Sequence, residues 1–253
     1  MARKRLFGNL KMTSGPEPPS YIWSETNLNG TKMGIYLTRV ELRFLCEALQ
    51  QFKQREWVLD IGGGDGRLAR RLQAQGIPSI LLEYSDLPLR DMKNSGWSHP
   101  LLQADGNTVP LKNETAETIL AVEVQNCVDS EHNERFFSEV YRVLKQKGIF
   151  VFTSDNSFSL IGFLRKIRPS LYRYEDCEYY SESFRMTQKK LEKAGFRVLM
   201  VYGFRWIPFS RGSKNSLIPL FAIIERLLQL KRLPSLSPWV FWVVRKSGAQ
   251  SNI

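Results

Sequence analysis

Short apolar runs alternate with amphipathic segments through most of this chain. The runs typical of strands are WVLDI (57–61), PSILLEY (78–84), PLLQAD (100–105), TILAVEV (118–124), IFVFTS (149–154), RVLMVYG (197–203) and WVFWVVRK (239–246). Helical periodicity marks the segments 38–52, 67–75, 88–94, 133–146 and 187–196. The strand runs lack strict alternation of apolar and polar residues, which is expected when helices cover both faces of a parallel sheet.

This order predicts an α/β fold, a Rossmann-like doubly wound sheet with helices on both faces. Residues 1–20 are basic and then rich in Pro and Gly, and are expected to be a flexible tail. We predict a single domain over residues 21–246, with insertions at about 155–187 and 204–238 and a short tail at 247–253. No signal peptide or spanning segment is expected.

Charge is unevenly distributed along the 253 residues, whose formal net charge is +11. Residues 1–57 carry a net +4, residues 58–159 a net −4 and residues 160–253 a net +11. Such asymmetry favours an anionic partner, namely a membrane surface, a nucleic acid or an acidic substrate, although a solvated basic surface explains it equally well. The three cysteines are far apart and the chain has two histidines, so we expect no metal site and a cytoplasmic location, with membrane association left open.

The turn after the first strand, VLDIGGGDGRLARRL, is the most informative stretch. Its glycines Gly62, Gly64 and Gly66 leave the backbone bare at a helix N-terminus, where a carboxylate or phosphate could bind. Arg67 stands where the GxGxxG dinucleotide pattern has its last glycine or alanine. Asp60 would repel a pyrophosphate but suits an amine, and S-adenosylmethionine offers both an amine and a carboxylate without phosphates.

Two further strands end in acids. Glu83 lies 21 residues after Gly62, the place of an acid that accepts hydrogen bonds from ribose hydroxyls, and Tyr84 could lie against the adenine. Asp105 could accept the adenine amino group. Each acid alone could simply be a solvated residue at a strand end, but three in succession favour a cofactor site.

These pieces together resemble the class I S-adenosylmethionine-dependent methyltransferases. The resemblance rests on VLDIGGGDGRLA, LLEYSD, LLQADGNTVPL, AVEVQNCVD, FFSEVYRVLKQKGIFVFTS and LEKAGFRV, and covers about Glu56 to Tyr202. It implies S-adenosylmethionine as cofactor, a seven-stranded sheet whose seventh strand (Trp239–Arg245) is antiparallel, and Val122 and Glu123 near the sulfonium. Many relatives have a histidine where Cys127 stands in EVQNCV, so a base at that position is in doubt.

Asp155 and His132 are the candidate catalytic residues, with Asn126 and Tyr36 as further side chains that could face the acceptor. Asp155 follows the fifth strand and could bind or deprotonate the substrate, or it could only hold the turn that SDNS favours. His132 could equally be an exposed residue near a helix start.

The second insertion suggests the kind of acceptor. Leu217–Leu230 is apolar apart from Glu225, Arg226 and Gln229, and basic residues flank it. This composition is typical of an interfacial helix or of a lid over an apolar pocket, and equally of a helix packed on the sheet. We therefore expect a small amphiphilic or lipid-like acceptor, with an RNA methyltransferase as the alternative and a non-catalytic scaffold of the same fold as a third possibility.

Overall fold

The computed structural model describes residues 30–54, 56–124, 130–159, 161–163, 181–210 and 212–247. Seven strands form one sheet in the order β3-β2-β1-β4-β5-β7-β6. The strands are β1 (Val58–Ile61), β2 (Ser79–Glu83), β3 (Leu101–Gln103), β4 (Ala116–Ala121), β5 (Leu144–Asp155), β6 (Phe196–Phe204) and β7 (Trp239–Lys246). The helices are α1 (Lys32–Gln51), α2 (Ala69–Gln73), α3 (Asp86–Asn94), α4 (Ser130–Val143), α5 (Phe184–Lys193) and α6 (Ile218–Leu227), and a 3₁₀ turn spans Leu230–Arg232.

The doubly wound sheet and the antiparallel seventh strand are both confirmed. Strands β1 to β5 pair in parallel, whereas β7 pairs antiparallel with β5 on one side and with β6 on the other. Because the first five strands run the same way, their carboxyl ends meet at one edge of the sheet, where ligands of such folds bind.

Apolar side chains on both faces of the sheet explain why the strand runs lack strict alternation. In β5, Phe150 and Phe152 enter the core on one face, and Ile149 and Val151 enter the core on the other. Trp242 of β7 stacks on Phe152 with ring centroids 6.0 Å apart and donates its indole N–H to Ser154 Oγ at 2.8 Å. The centre of the sheet is therefore buried on both sides.

Several helix boundaries differ from the sequence prediction. Helix α1 begins at Lys32 rather than Thr38, because the Thr31 hydroxyl caps it by accepting the Gly34 N–H at 2.9 Å. Helix α5 begins at Phe184 rather than Thr187, since the Ser183 side chain caps it by accepting the Met186 N–H.

Two other predicted helices are shorter than expected. Helix α2 spans Ala69–Gln73 instead of 67–75, because the glycine turn extends to residue 68. Helix α4 ends at Val143, and the predicted extension to Gln146 was wrong: strand β5 already starts at Leu144. Lys147, with φ of +65°, lies within that strand, where the backbone is left-handed rather than helical.

The second insertion contains helix α6, which packs on α1. Ile218 is its one fully buried residue, and Phe221 and Ala222 are partly buried in the same apolar cluster as Leu37 and Phe44 of α1. Among the described residues, no helix is long and apolar enough to cross a membrane.

Candidate active site

The glycine turn is a tight connection that ordinary side chains would disrupt. Gly62, Gly64 and Gly66 have φ of +68°, +57° and +78°, in the left-handed region that favours glycine. A Cβ at Gly62 would lie only 2.4 Å from Val124 Cγ2. The turn therefore needs glycine both for its backbone conformation and for the close approach of the segment after β4.

Asp60 is a buried carboxylic acid, the last residue but one of β1 and two residues before Gly62. It is 3% exposed, and burial raises its pKa from 3.8 to about 7, while the Arg67 guanidinium lowers it and the Glu83 carboxylate raises it further. A Cβ at Gly63 would lie 2.9 Å from Asp60 Oδ2, so the bare backbone leaves this carboxyl accessible from the turn. A cationic group placed there would gain a charge partner away from bulk water.

Arg67 ties the turn to the N-terminal helix. Its Nη1 lies 2.7 Å from Glu41 Oε2 and donates a hydrogen bond to Thr38 Oγ1 at 3.0 Å. Arg67, Glu41 and Thr38 are all buried. The residue that breaks the dinucleotide pattern is thus a structural link between α1 and the turn.

Glu83 is held by the backbone from two sides. Its Oε2 accepts the Gly64 N–H at 3.1 Å and its Oε1 accepts the Ser85 N–H at 3.0 Å. Burial raises its pKa above the ordinary value, and these backbone hydrogen bonds partly offset that effect. The Tyr84 N–H is a third backbone donor to this carboxylate, which leaves one of its roughly four acceptor sites for a ribose hydroxyl.

An open cleft of about 450 Å³ lies over the glycine turn. It brings together five of the predicted cofactor residues, Asp60, Gly62, Gly64, Val122 and Glu123. The remaining lining residues are Gly63, Asp65, Arg67 and Leu68. These four residues were not among the predicted site residues. Their positions in the glycine turn and just before helix α2 could have indicated that they line the cleft.

Val122 and Glu123 enter the cleft from the end of β4. The Glu123 N–H donates to Thr153 Oγ1 of β5 at 2.8 Å, and Glu123 has φ of +65°. This local left-handed turn brings the segment after β4 over the glycine turn, where Val124 meets Gly62.

Gly66, Glu83, Tyr84 and Asp105 do not line the cleft among the described residues. Gly66 instead packs against Met92 of α3, and Glu83 touches the cleft through Gly64. Asp105 Oδ1 accepts the Asn107 N–H at 2.7 Å, which holds a turn after β3. Tyr84 packs against the core cluster beside β2. Their predicted contacts with ribose and adenine stay predictions.

The candidate catalytic residues are at separate places. Asp155 is buried at the carboxyl end of β5, where it pairs with Trp239 of β7, whereas His132 is half-buried in the first turn of α4. Tyr36 does not face an open site: its hydroxyl donates to Glu225 Oε2 at 2.5 Å and accepts the Arg205 N–H at 3.3 Å. Asn126 and Cys127 lie outside the described residues.

Asn156, directly after Asp155, anchors both insertions. Its side-chain amide donates to the carbonyls of Ser235 and Ser237 at 2.8 and 3.0 Å. Its Oδ1 accepts the N–H groups of Phe158 and Phe184 at 3.1 and 3.3 Å. These hydrogen bonds of Asn156 explain the SDNS turn and fix the backbone that carries Asp155.

The geometry fits S-adenosylmethionine. The bare turn offers backbone N–H groups to a carboxylate, the buried Asp60 suits an amine, and the Glu83 carboxylate keeps acceptor capacity for a ribose hydroxyl. No group of three or more potential metal ligands is present among the described residues.

Comparison with known proteins agrees with this geometry. Residues 59–152 match the family model of a methyltransferase domain. The matched segment contains the glycine turn, Glu83, Asp105 and the segment after β4.

A relative and two solved structures show how far the likeness extends. An uncharacterized protein of Methanocaldococcus jannaschii is 25% identical over 176 residues, which are 61% of this chain and 66%, just under two thirds, of that protein. An S-adenosylmethionine-dependent methyltransferase of Thermotoga maritima, described as a possible histamine N-methyltransferase, aligns with TM-score 0.59 and 21% identity over 84% of this chain and 89% of its own. A Haloferax volcanii methyltransferase in complex with the Trm112 activator aligns with TM-score 0.57 and 13% identity over 81% of this chain and 90% of its own.

At these sequence identities, the solved structures show a shared fold. The family model shows that residues 59–152 match a methyltransferase domain. The predicted cofactor follows from the same match. Residues 59–152 therefore match a methyltransferase domain, and the sheet has the fold of the S-adenosylmethionine-dependent methyltransferases with which it aligns.

Proposed function

We propose that the protein transfers a methyl group from S-adenosylmethionine to an oxygen or carbon atom of a small amphiphilic, lipid-like acceptor. The observation that carries this proposal is the position of the apolar helix α6. Tyr36 of α1 bonds Glu225 of α6, while Thr38 and Glu41 of the same helix α1 contact Arg67 of the cofactor turn. One helix thus connects the apolar insertion with the cofactor cleft.

The bound cofactor supplies a methyl group already activated by its sulfonium, so the protein has mainly to position the acceptor. An electron pair of the acceptor oxygen or carbon would form the bond to the methyl group while the methyl–sulfur bond breaks and leaves its electrons on sulfur, so the protein would have to align the acceptor with that bond. Proximity and orientation of this kind are worth up to about 7–11 kcal/mol in intramolecular reactions. In this proposal Asp60 holds the amine, the turn holds the carboxylate and Glu83 holds the ribose.

Asp155 is the proposed acceptor-side residue. Phe152 of β5 is in register with Ala121 of β4. The next residue, Thr153, accepts a hydrogen bond from the N–H of Glu123, which lines the cleft. Asp155 follows Thr153 by two residues. There it would orient the acceptor or take its proton, which typically contributes about 10²- to 10⁴-fold. His132 stays a second candidate for the same role.

Asp155→Asn tests this role, because it keeps the side-chain size but removes the base. We expect kcat to fall by about 10²-fold or more while the dissociation constant of the cofactor stays unchanged. His132→Gln is the parallel variant. If only His132→Gln lowers kcat, the base is His132 and the role proposed for Asp155 is wrong.

The acceptor class is tested with methyl-labelled S-adenosylmethionine and a host extract separated into lipid, RNA, protein and small-molecule fractions. We expect label in the lipid fraction with the native protein and none with Glu83→Ala. Label confined to RNA would instead establish the RNA methyltransferase that the net charge of +11 also favours. Cofactor binding without label in any fraction would support the non-catalytic scaffold.

A further inference from the structure

Helix α6 is apolar on both faces, and its one acid points inward, unlike the acids of an ordinary surface helix. Its inner face consists of Ile218, Phe221, Ala222 and Glu225, and the Glu225 carboxylate accepts hydrogen bonds from the Tyr36 hydroxyl and the Trp206 backbone N–H. The acid that would normally face water is thus turned inward. A solvated helix places its polar residues on the opposite side from the core.

The outer face of α6 is apolar and exposed. The exposed residues follow helical spacing from the residue before α6 to the residue after it: Leu217, Leu220, Ile223, Ile224, Leu227 and Leu228. Leu227 and Leu228 are 70% and 64% exposed, and Leu233 and Leu236 continue the exposed apolar surface beyond the 3₁₀ turn. A contiguous patch of this kind marks an interaction surface. We call these eight residues the α6 patch.

Cations surround the α6 patch. Lys214, Arg226 and Arg232 are exposed near it, and Lys231 is half-buried. Residues 193–253 contain ten Lys and Arg but one acid, Glu225, which is on the inner face of α6. Glu47 of α1 lies 3.9 Å from Lys231 Nζ and offsets that cation, so the excess positive charge around the patch comes from Lys214, Arg226 and Arg232.

We propose that the α6 patch docks the protein on the surface of an anionic phospholipid bilayer. The helix would lie in the plane of the interface with its leucines and isoleucines among the upper acyl chains, and the surrounding cations would meet the headgroup phosphates. The inward direction of Glu225 keeps the one acid of α6 itself away from the anionic lipid. This docking deepens the proposed function, since it would bring the cleft to the source of a lipid-like acceptor.

A second copy of the chain fits the patch less well. Two α6 patches meeting face to face would bring Lys214, Arg226 and Arg232 of one copy close to those of the other. Like charges at a desolvated contact are unfavourable, and Glu225 is engaged with Tyr36. An anionic bilayer covers the apolar residues and neutralises the cations at the same time.

The test is flotation of the full chain with vesicles of phosphatidylcholine alone and of phosphatidylcholine with phosphatidylglycerol. We expect stronger binding to the anionic vesicles, weakened by added salt. Leu227→Glu with Leu228→Glu should reduce vesicle binding about tenfold or more, because it places two charges in the apolar face. Leu87→Glu is the matched control, since Leu87 is an exposed leucine of α3, 46% exposed, and should leave binding unchanged.

Both variants are first compared with the native protein in thermal unfolding and in cofactor binding, which should not change because the substituted residues are exposed. Equal vesicle binding by the native protein and the double variant would overturn the proposal. So would absence of vesicle binding together with a dimer, seen by analytical ultracentrifugation, that the double variant abolishes. Flotation is carried out without S-adenosylmethionine and measures docking alone, so lipid methylation in the extract experiment is a separate result.

Discussion

Arg67 stands where a dinucleotide-binding turn would have a glycine, and its side chain runs back to α1 instead of leaving space for a pyrophosphate. With Glu41 and Thr38 it forms a buried polar contact beside Asp60. Burial raises the pKa of Asp60, and the Arg67 guanidinium partly offsets this effect by lowering the pKa. Arg67, which replaces the last glycine of the dinucleotide pattern, thus affects which cofactor the turn can bind and also fixes the position of helix α1.

Replacing Asp60 with asparagine should weaken S-adenosylmethionine binding by about tenfold or more, because the amine loses its charged partner in a buried site. The free energy of unfolding of the free protein at pH 8 should not fall, since a buried charge is removed. Isothermal titration and denaturant unfolding measure the two effects. Asp91→Asn, an exposed acid of α3, is the control, and equal cofactor affinity in both variants would refute the role of Asp60.

Cofactor affinity should also depend on pH through Asp60. Its pKa of about 7 in the free protein means that the carboxyl is mostly protonated below that pH and must release the proton to pair with the amine. The affinity should therefore fall by up to about tenfold per pH unit below 7. Titration in buffers of different ionisation enthalpy should detect proton release at pH 6, and a pH-independent affinity in the native protein would contradict this linkage.

At the scale of the elements, the Tyr36–Glu225 hydrogen bond joins α1 and α6. Burial is the largest cause that raises the pKa of Glu225 from 4.5 to about 7, and the Tyr36 hydrogen bond and Arg43 lower it. The folded protein thus binds this proton more tightly than the unfolded chain. The contribution of Glu225 to the free energy of unfolding is largest at low pH and is lost as the pH rises from about 4.5 to 7.

Tyr36→Phe should lower the free energy of unfolding at pH 8 by about 1–3 kcal/mol, because it leaves the ionised, mostly buried Glu225 without its hydroxyl donor. Chemical denaturation measures this change. In the Glu225→Gln background, Tyr36→Phe should lower the free energy of unfolding by a smaller amount. The Glu225→Gln protein should also lose less stability than the native protein between about pH 4.5 and 7. Additive effects of the two substitutions would show that the hydrogen bond does not couple the helices.

The elements also show what the sequence could and could not predict. The strand runs were found because buried parallel strands are continuously apolar, and Asp60 and Glu83 were found because they end such runs. The boundaries of α1 and α5 were missed, since they depend on the caps Thr31 and Ser183. The inward direction of Glu225 could not be seen in a segment that is apolar on both faces, because the contact of α6 with α1 decides which face is buried.

At the scale of the whole molecule, β7 holds the sheet together. It lies between β5 and β6 and contributes Trp239, Phe241, Trp242 and their neighbours to both faces of the core. Among the described residues, β6 pairs with β7 alone. The order of strands in the sheet therefore differs from their order in the chain at this end.

Deletion of residues 239–253 should abolish cooperative unfolding, because it removes the central hydrogen-bond partner of β6 and several buried aromatic side chains. Deletion of 248–253 alone is the control and should leave the thermal transition within a few degrees of the native one. Circular dichroism and cofactor binding report the outcome. A cooperative transition with native cofactor affinity in the longer deletion would show that β7 is dispensable.

The position of β7 also has a consequence for synthesis in the cell. A ribosome makes β1 to β5 and then β6, and each of β2 to β5 finds a partner strand already made. The exception is β6, whose partner is still to be translated. Until Lys246 has emerged, the nascent chain exposes the edge of β5 and an unpaired β6, two surfaces open to aggregation. A translational stall near the C-terminus should therefore leave a chain that depends on chaperones, although most of its sheet has been made.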